Sequence, residues 1–98
     1  GSMIDRTERS VGAVASESSG ETTIPFDKPF FTGTTALSGS TTAYLPSVGV
    51  NINNMSSGDY VEMGTVTGSN FKFTIKNSSG NVVSRNFTWI ASGYGRGV

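Results

Sequence analysis

The sequence predicts an all-β chain folded as a small antiparallel β-sandwich of about six or seven strands, on three observations. Ser, Thr, Asn and Gly make up 47 of the 98 residues, while Ala, Leu, Glu and Lys, which favour helices, are scarce. In the second half, apolar residues recur at every second position, the period of a strand with one face in a core. Clusters of Ser, Gly, Asn and Asp interrupt those runs at short intervals, as turns do between the strands of a sandwich. With 35% hydrophobic residues, the chain is also too apolar for a disordered linker.

The 98 residues fit one domain. Gly1-Ser2-Met3 reads as a cloning scar, residues 4–12 as an exposed lead-in or linker, and residues 13–98 as the sandwich domain. The lead-in carries Asp5, Arg6, Glu8 and Arg9 with few apolar residues. A small apolar patch at Val11–Ala15 is the first strand, and Ser16–Gly20 is its turn. Ile24, Phe26 and Phe30 share one face of the next segment, where Pro25 and Pro29 each remove a ladder donor and so predict an edge strand. The Thr-, Ser- and Gly-rich stretch 32–42 reads as a surface loop.

Val48, Val50 and Ile52 then alternate with Gly49, Asn51 and Asn53, and Ser56-Ser57-Gly58-Asp59 supplies a turn. Residues 60–67 continue as a strand with Val61 and Met63 on one side. Phe71, Phe73 and Ile75 alternate with Asn70, Lys72, Thr74 and Lys76, so the polar face of this strand is expected to be basic and exposed. After a turn at 77–81, Val83, Arg85, Phe87, Trp89 and Ala91 form the alternating set of the last strand. These last two strands are expected to form a hairpin, with Phe71, Phe73, Phe87 and Trp89 dominating the core.

Composition also bounds the chemistry. There is no Cys and no His, which removes disulfides, thiol nucleophiles, imidazole acid–base catalysis and the usual ligands of structural zinc. The chain reads as non-enzymatic, with no catalytic residues, no metal and no cofactor. Seven basic residues balance seven acidic ones, so no net field draws in nucleic acid, and no apolar run reaches the length of a membrane span. Asp59 and Glu62 are close in sequence, but three residues apart on a strand they face opposite ways, unlike the facing carboxyls of a glycosidase. Asp59 reads better as a turn-stabilising side chain. Gly93-Tyr94-Gly95-Arg96-Gly97 lacks the following helix that a phosphate loop requires.

Four residues stand as ligand-binding candidates. Tyr44 and Tyr60 flank strands near turns, where a tyrosine is either a half-buried rim residue or a platform for a sugar ring. Tyr94 and Arg96 combine an aromatic face and a guanidinium near the C-terminal end, at a frayed tail, an exposed tip or a trimer axis. Lys72, Lys76 and Arg85 form a further basic outer face, read as either solvated surface or a contact for anionic polysaccharide.

The runs Pro46–Asn54, Ser57-Gly58-Asp59-Tyr60, Phe71–Gly80 and Val83–Gly95, with Ile24–Phe30 upstream, resemble the C-terminal β-sandwich modules of tailed-phage tail fibres, tailspikes and host-specificity proteins. Some of those modules are similar to H-type lectin domains. The resemblance spans residues 22–95 and implies a terminal module of a virion protein, located on the phage tail and expected as a homotrimer. Its partner would be a bacterial surface glycan or an outer-membrane receptor. Two alternatives stay open: a structural trimerisation or decoration module without a ligand, and a carbohydrate-binding accessory domain of a secreted bacterial enzyme. No lectin residue transfers by position.

Overall fold

Alternation of apolar and polar residues fixes which face of each strand turns inward, and the resulting faces stack as two antiparallel sheets. The computed structural model describes residues 3–32 and 44–96. Its strands are β1 (Met3–Arg9), β2 (Val14–Ala15), β3 (Thr22–Pro25), β4 (Ser47–Ile52), β5 (Tyr60–Val66), β6 (Asn70–Lys76) and β7 (Asn86–Arg96). In the first sheet β7 is central, with β4 along one side and β1 followed by β2 along the other. The second sheet has the order β3-β6-β5. The molecule extends 45 × 26 × 17 Å.

The core lies between β6 and β7. Phe71, Phe73 and Ile75 point in from β6 and meet Phe87 and Ala91 from β7, all five buried. Phe73 and Phe87 meet edge-on with ring centroids 4.7 Å apart, and Phe71 stacks on Phe73 at 5.8 Å. Phe26 and Phe30 close one end of the cluster, and Trp89 packs half-buried on Phe26 and Phe71. Edge-to-face rings add about 0.5–1.5 kcal/mol per pair beyond the area they bury.

The expected hairpin of the last two strands is not formed: β6 and β7 lie in opposite sheets. Both strands carry an aromatic inner face, and only in opposite sheets can those faces pack on each other. After the turn, a single bridge between Lys76 and Val82 is all that remains of hairpin pairing. The chain then crosses to the first sheet at residues 83–85, where Ser16 holds it. The Ser16 N–H donates to the Arg85 carbonyl at 2.9 Å, and the Arg85 N–H donates to Ser16 Oγ at 2.9 Å. Ser84 Oγ donates to the Ser16 carbonyl at 2.6 Å.

The expected basic face is present only in part. Lys72 and Lys76 share the outer face of β6, but both are half-buried, and Thr74 between them is buried. Lys76 pairs with Glu62 at 3.1 Å, and Arg85 lies before β7 and does not join them. Arg85 Nε instead donates to Asp59 Oδ2 at 2.7 Å, and the same oxygen accepts the Ser56 N–H at 2.8 Å. Asp59 thus stabilises its turn as expected and also ties that turn to the strand crossing. Gly58, at φ +85°, makes the turn possible, since a side chain there would be strained and would strike Ser78.

Residues 4–9, read as lead-in, lie within β1, a strand the apolar pattern could not signal because its inward side is polar. Arg6 and Glu8 point toward the second sheet and pair with each other. The Arg6 guanidinium lies 4.0 Å over the Phe30 ring and donates to the Lys28 carbonyl, while Glu8 accepts the N–H groups of Asp27 and Lys28 at 2.8 and 3.0 Å. This clamp fastens the loop after β3, the edge strand that ends in Pro25 as expected. The loop expected at 32–42 lies, beyond Thr32, outside the described residues.

Two predictions follow from this packing. Gly93 sits where a Cβ would come within 2.9 Å of the Phe30 ring and 3.2 Å of Pro46, so Gly93→Ala is expected to lower unfolding free energy by about 1–3 kcal/mol in chemical denaturation. The second concerns acid. The Arg85 hydrogen bond, then the Ser56 N–H, hold the Asp59 carboxyl below its ordinary value of 3.8. Burial pushes Glu8 up, but the bonds from Lys28, Arg6 and Asp27 outweigh it and hold that carboxyl below 4.5. A lowered folded-state value stabilises the fold above the unfolded-state pKa, and that contribution vanishes as pH falls through the folded one. Stability should therefore fall as pH drops below the ordinary carboxylate range, and Asp59→Asn should lower stability at neutral pH while making the acid loss shallower. An equally steep acid loss in Asp59→Asn would show that the pair does not matter.

Candidate functional site

Because Phe87 and Ala91 face the core, Thr88, Ile90, Ser92 and Tyr94 alternate to the outer face of the first sheet. Register sets their neighbours: Tyr94 lies opposite Asp5, Ser92 opposite Thr7 and Ser47, Ile90 opposite Arg9 and Gly49, and Thr88 opposite Asn51. Uncharged hydroxyl and amide groups dominate this surface, with Asp5 and Arg9 on its β1 margin.

An aromatic corner stands at one end. The Phe31 N–H donates to the Tyr94 carbonyl at 2.7 Å, extending the ladder beyond β4, and the Tyr44 N–H donates to the Thr32 carbonyl at 3.1 Å. These backbone bonds bring Tyr44 beside Tyr94, ring centroids 5.8 Å apart and planes at 77°, and stack Tyr44 on Phe31 at 6.2 Å. Tyr44 remains 41% exposed. Below the corner runs an open groove of about 390 Å³ lined by Asp5, Thr7, Leu45, Ser47, Ser92 and Tyr94. Asp5 forms no ion pair among the described residues.

Such an arrangement supplies aromatic faces for the apolar side of a ring, hydroxyls that both donate and accept, and a carboxylate that accepts. A larger groove of about 610 Å³ lies further along the same face, between Val11-Gly12 and the Gly49–Asn51 stretch. The aromatic residue on its lining is the half-buried Trp89, whose ring packs on Phe26 and Phe71.

Of the four residues singled out from sequence, the structure brings Tyr44 and Tyr94 together. Tyr60 begins β5 in the other sheet, opposite Lys76, and is 42% exposed. Arg96 ends β7 opposite Met3, and its side chain lies outside the described residues. The glycines around Tyr94 serve close approach: the Gly93 backbone passes against Phe30 and Pro46, as given above. Asp59 and Glu62 form no paired site, each being engaged by a different cation.

Asp5, Thr7, Ser47 and Ser92 escaped the sequence reading. The last two are ordinary polar positions of a strand, and the first two lie in a strand without an apolar period. Only the register against β7 gathers them.

No family model matches the chain, and no curated protein or solved structure matches it either.

Proposed function

We propose that the chain is a non-catalytic attachment module that holds a bacterial surface glycan or outer-membrane receptor against the outer face of its first sheet. The observation that carries this reading is the Tyr44–Tyr94 corner beside Asp5, which forms no ion pair among the described residues, and the hydroxyls of Thr7, Ser47 and Ser92. A pyranose has an apolar C–H face and a rim of hydroxyls. An aromatic wall next to fixed donors and acceptors complements both.

A shallow groove of this kind binds weakly. The resemblance to phage fibre tips supplies the setting in which weak sites suffice: a homotrimeric virion protein on the phage tail presents three copies, and linked sites gain effective concentration without stronger contacts.

Binding to a panel of bacterial surface polysaccharides and to bacterial cells tests the reading. Tyr94→Ala and Tyr44→Ala are each expected to weaken binding about ten-fold or more, the usual cost of removing an aromatic anchor, while Tyr60→Ala leaves it unchanged. Equal binding by all three variants would place the contact elsewhere. Absence of binding by the unaltered chain, when it is trimeric, would leave a structural trimerisation or decoration module.

A further inference from the structure

The sheet edges differ in how they resist pairing with another chain. Along one margin of the first sheet, β1 carries Asp5, Arg6, Glu8 and Arg9, and β2 is only two residues long. In the second sheet β3 ends in Pro25, and the register of β5 breaks between Met63 and Val66. Charge, brevity, proline and bulges are the ordinary defences of an exposed edge. β4 has none of them. Ser47-Val48-Gly49-Val50-Asn51-Ile52 contains no charge and no proline, and it pairs without interruption from Ser47 opposite Ser92 to Ile52 opposite Phe87.

The hydrogen-bond phase of this edge can be read from its neighbours. The Asn53 N–H donates to the Asn86 carbonyl at 2.8 Å, while the Ser10 N–H donates to the Trp89 carbonyl from the opposite side of β7. Even-numbered residues of β7 therefore bond toward β4 and odd-numbered ones away from it. Residues 47, 49 and 51 direct their N–H and C=O groups at β7. Val48, Val50 and Ile52 turn theirs outward, and among the described residues no strand pairs with them.

We propose that this edge pairs with the same edge of a second copy, β4 against β4, antiparallel about a two-fold axis through Val50. In that register Val50 lies opposite Val50 of the other copy and Val48 opposite Ile52. All the outward groups are then satisfied by about six N–H···O bonds. Antiparallel self-pairing about a two-fold axis uses one patch twice and closes, so it does not propagate into a fibril.

Side chains agree with the backbone. On the inner face Val48, Val50 and Ile52 are only half-buried against the core, and self-pairing sets each beside another aliphatic side chain. On the outer face Gly49 meets Asn51, with no like charges opposed, and the chain's net charge of zero leaves no long-range repulsion between copies. The contact uses the open edge of β4, whereas the proposed glycan site lies on the outer face of the sheet and takes only Ser47 from that strand.

Sedimentation across a concentration series, with disulfide trapping, tests the pairing. The Val50 N–H faces outward, so Val50→Pro spares the ladder to β7 and is expected to weaken two-fold association about ten-fold or more. The chain has no cysteine, so introduced thiols report alone. At Gly49 a Cβ meets only Ile90, at an ordinary 3.9 Å, so Gly49→Cys is accommodated. Mixing Gly49→Cys with Asn51→Cys should give a covalent dimer under mild oxidation, faster than either protein by itself, because residues 49 and 51 face each other across the axis. Cross-linking that is fastest for Gly49→Cys alone would overturn the register. A monomer at every concentration, or an assembly whose mass is unaffected by Val50→Pro, would overturn the proposal itself.

Discussion

The edge-on contact between Phe73 and Phe87 is the joint on which the rest of the structure depends. β6 and β7 are the central strands of their sheets, each flanked on both sides, so the contact between them is what unites two layers into one domain. A chain with no cysteine has no disulfide to share that task, and the surrounding rings of Phe26, Phe30, Phe71 and Trp89 extend the same wall. The joint also decides the outer surface. With Phe87 and Ala91 committed inward, Ile90, Ser92 and Tyr94 have no freedom to face elsewhere, and a slip of one residue would exchange the two sets. The candidate binding face is thus a consequence of core register.

Around this apolar joint, polar side chains hold the periphery. The Arg6–Glu8 pair clamps the loop beyond β3, Ser16 fixes the strand crossing at residues 83–85, and Asp59 with Arg85 ties the β4–β5 turn to that crossing. Four of the fourteen charged residues, Arg6, Glu8, Asp59 and Arg85, serve these fastenings. A buried ion pair resists disruption chiefly because losing one partner strands the other charge. Asp59, read from the sequence as a turn-stabilising side chain, and Arg85, read as solvated surface or a polysaccharide contact, are both engaged in this fastening. Asp5, on the outer side of the same strand as Arg6 and Glu8, forms no ion pair among the described residues.

Much of the fold was legible in the sequence because its strands bury one face each. Val48-Val50-Ile52, Phe71-Phe73-Ile75 and the Phe87-Trp89-Ala91 set all announced themselves by alternation, and the turns at 56–59 and 77–81 by their composition. The pairing of those strands was not legible. A turn sequence between two strands looks the same whether the chain returns beside its neighbour or crosses to the opposite sheet, and here the aromatic inner faces of β6 and β7 settled the matter. β1 was hidden for a different reason: its inward side is Arg6 and Glu8, so the rule that buried means apolar fails there. The candidate site was half visible. Tyrosines draw attention in any sequence, and two of the three converge, but the hydroxyls and carboxylate beside them are gathered only by cross-strand register.

Amide chemical-shift mapping by NMR, with oligosaccharide fragments from bacterial lipopolysaccharide and capsule titrated into the labelled protein, tests the central claim most directly. The account predicts perturbations confined to residues 5–7, 44–47 and 92–94, on the outer face of the first sheet. Perturbations centred on Tyr60, Lys72 and Lys76 in the second sheet, or an unperturbed spectrum throughout, would contradict it.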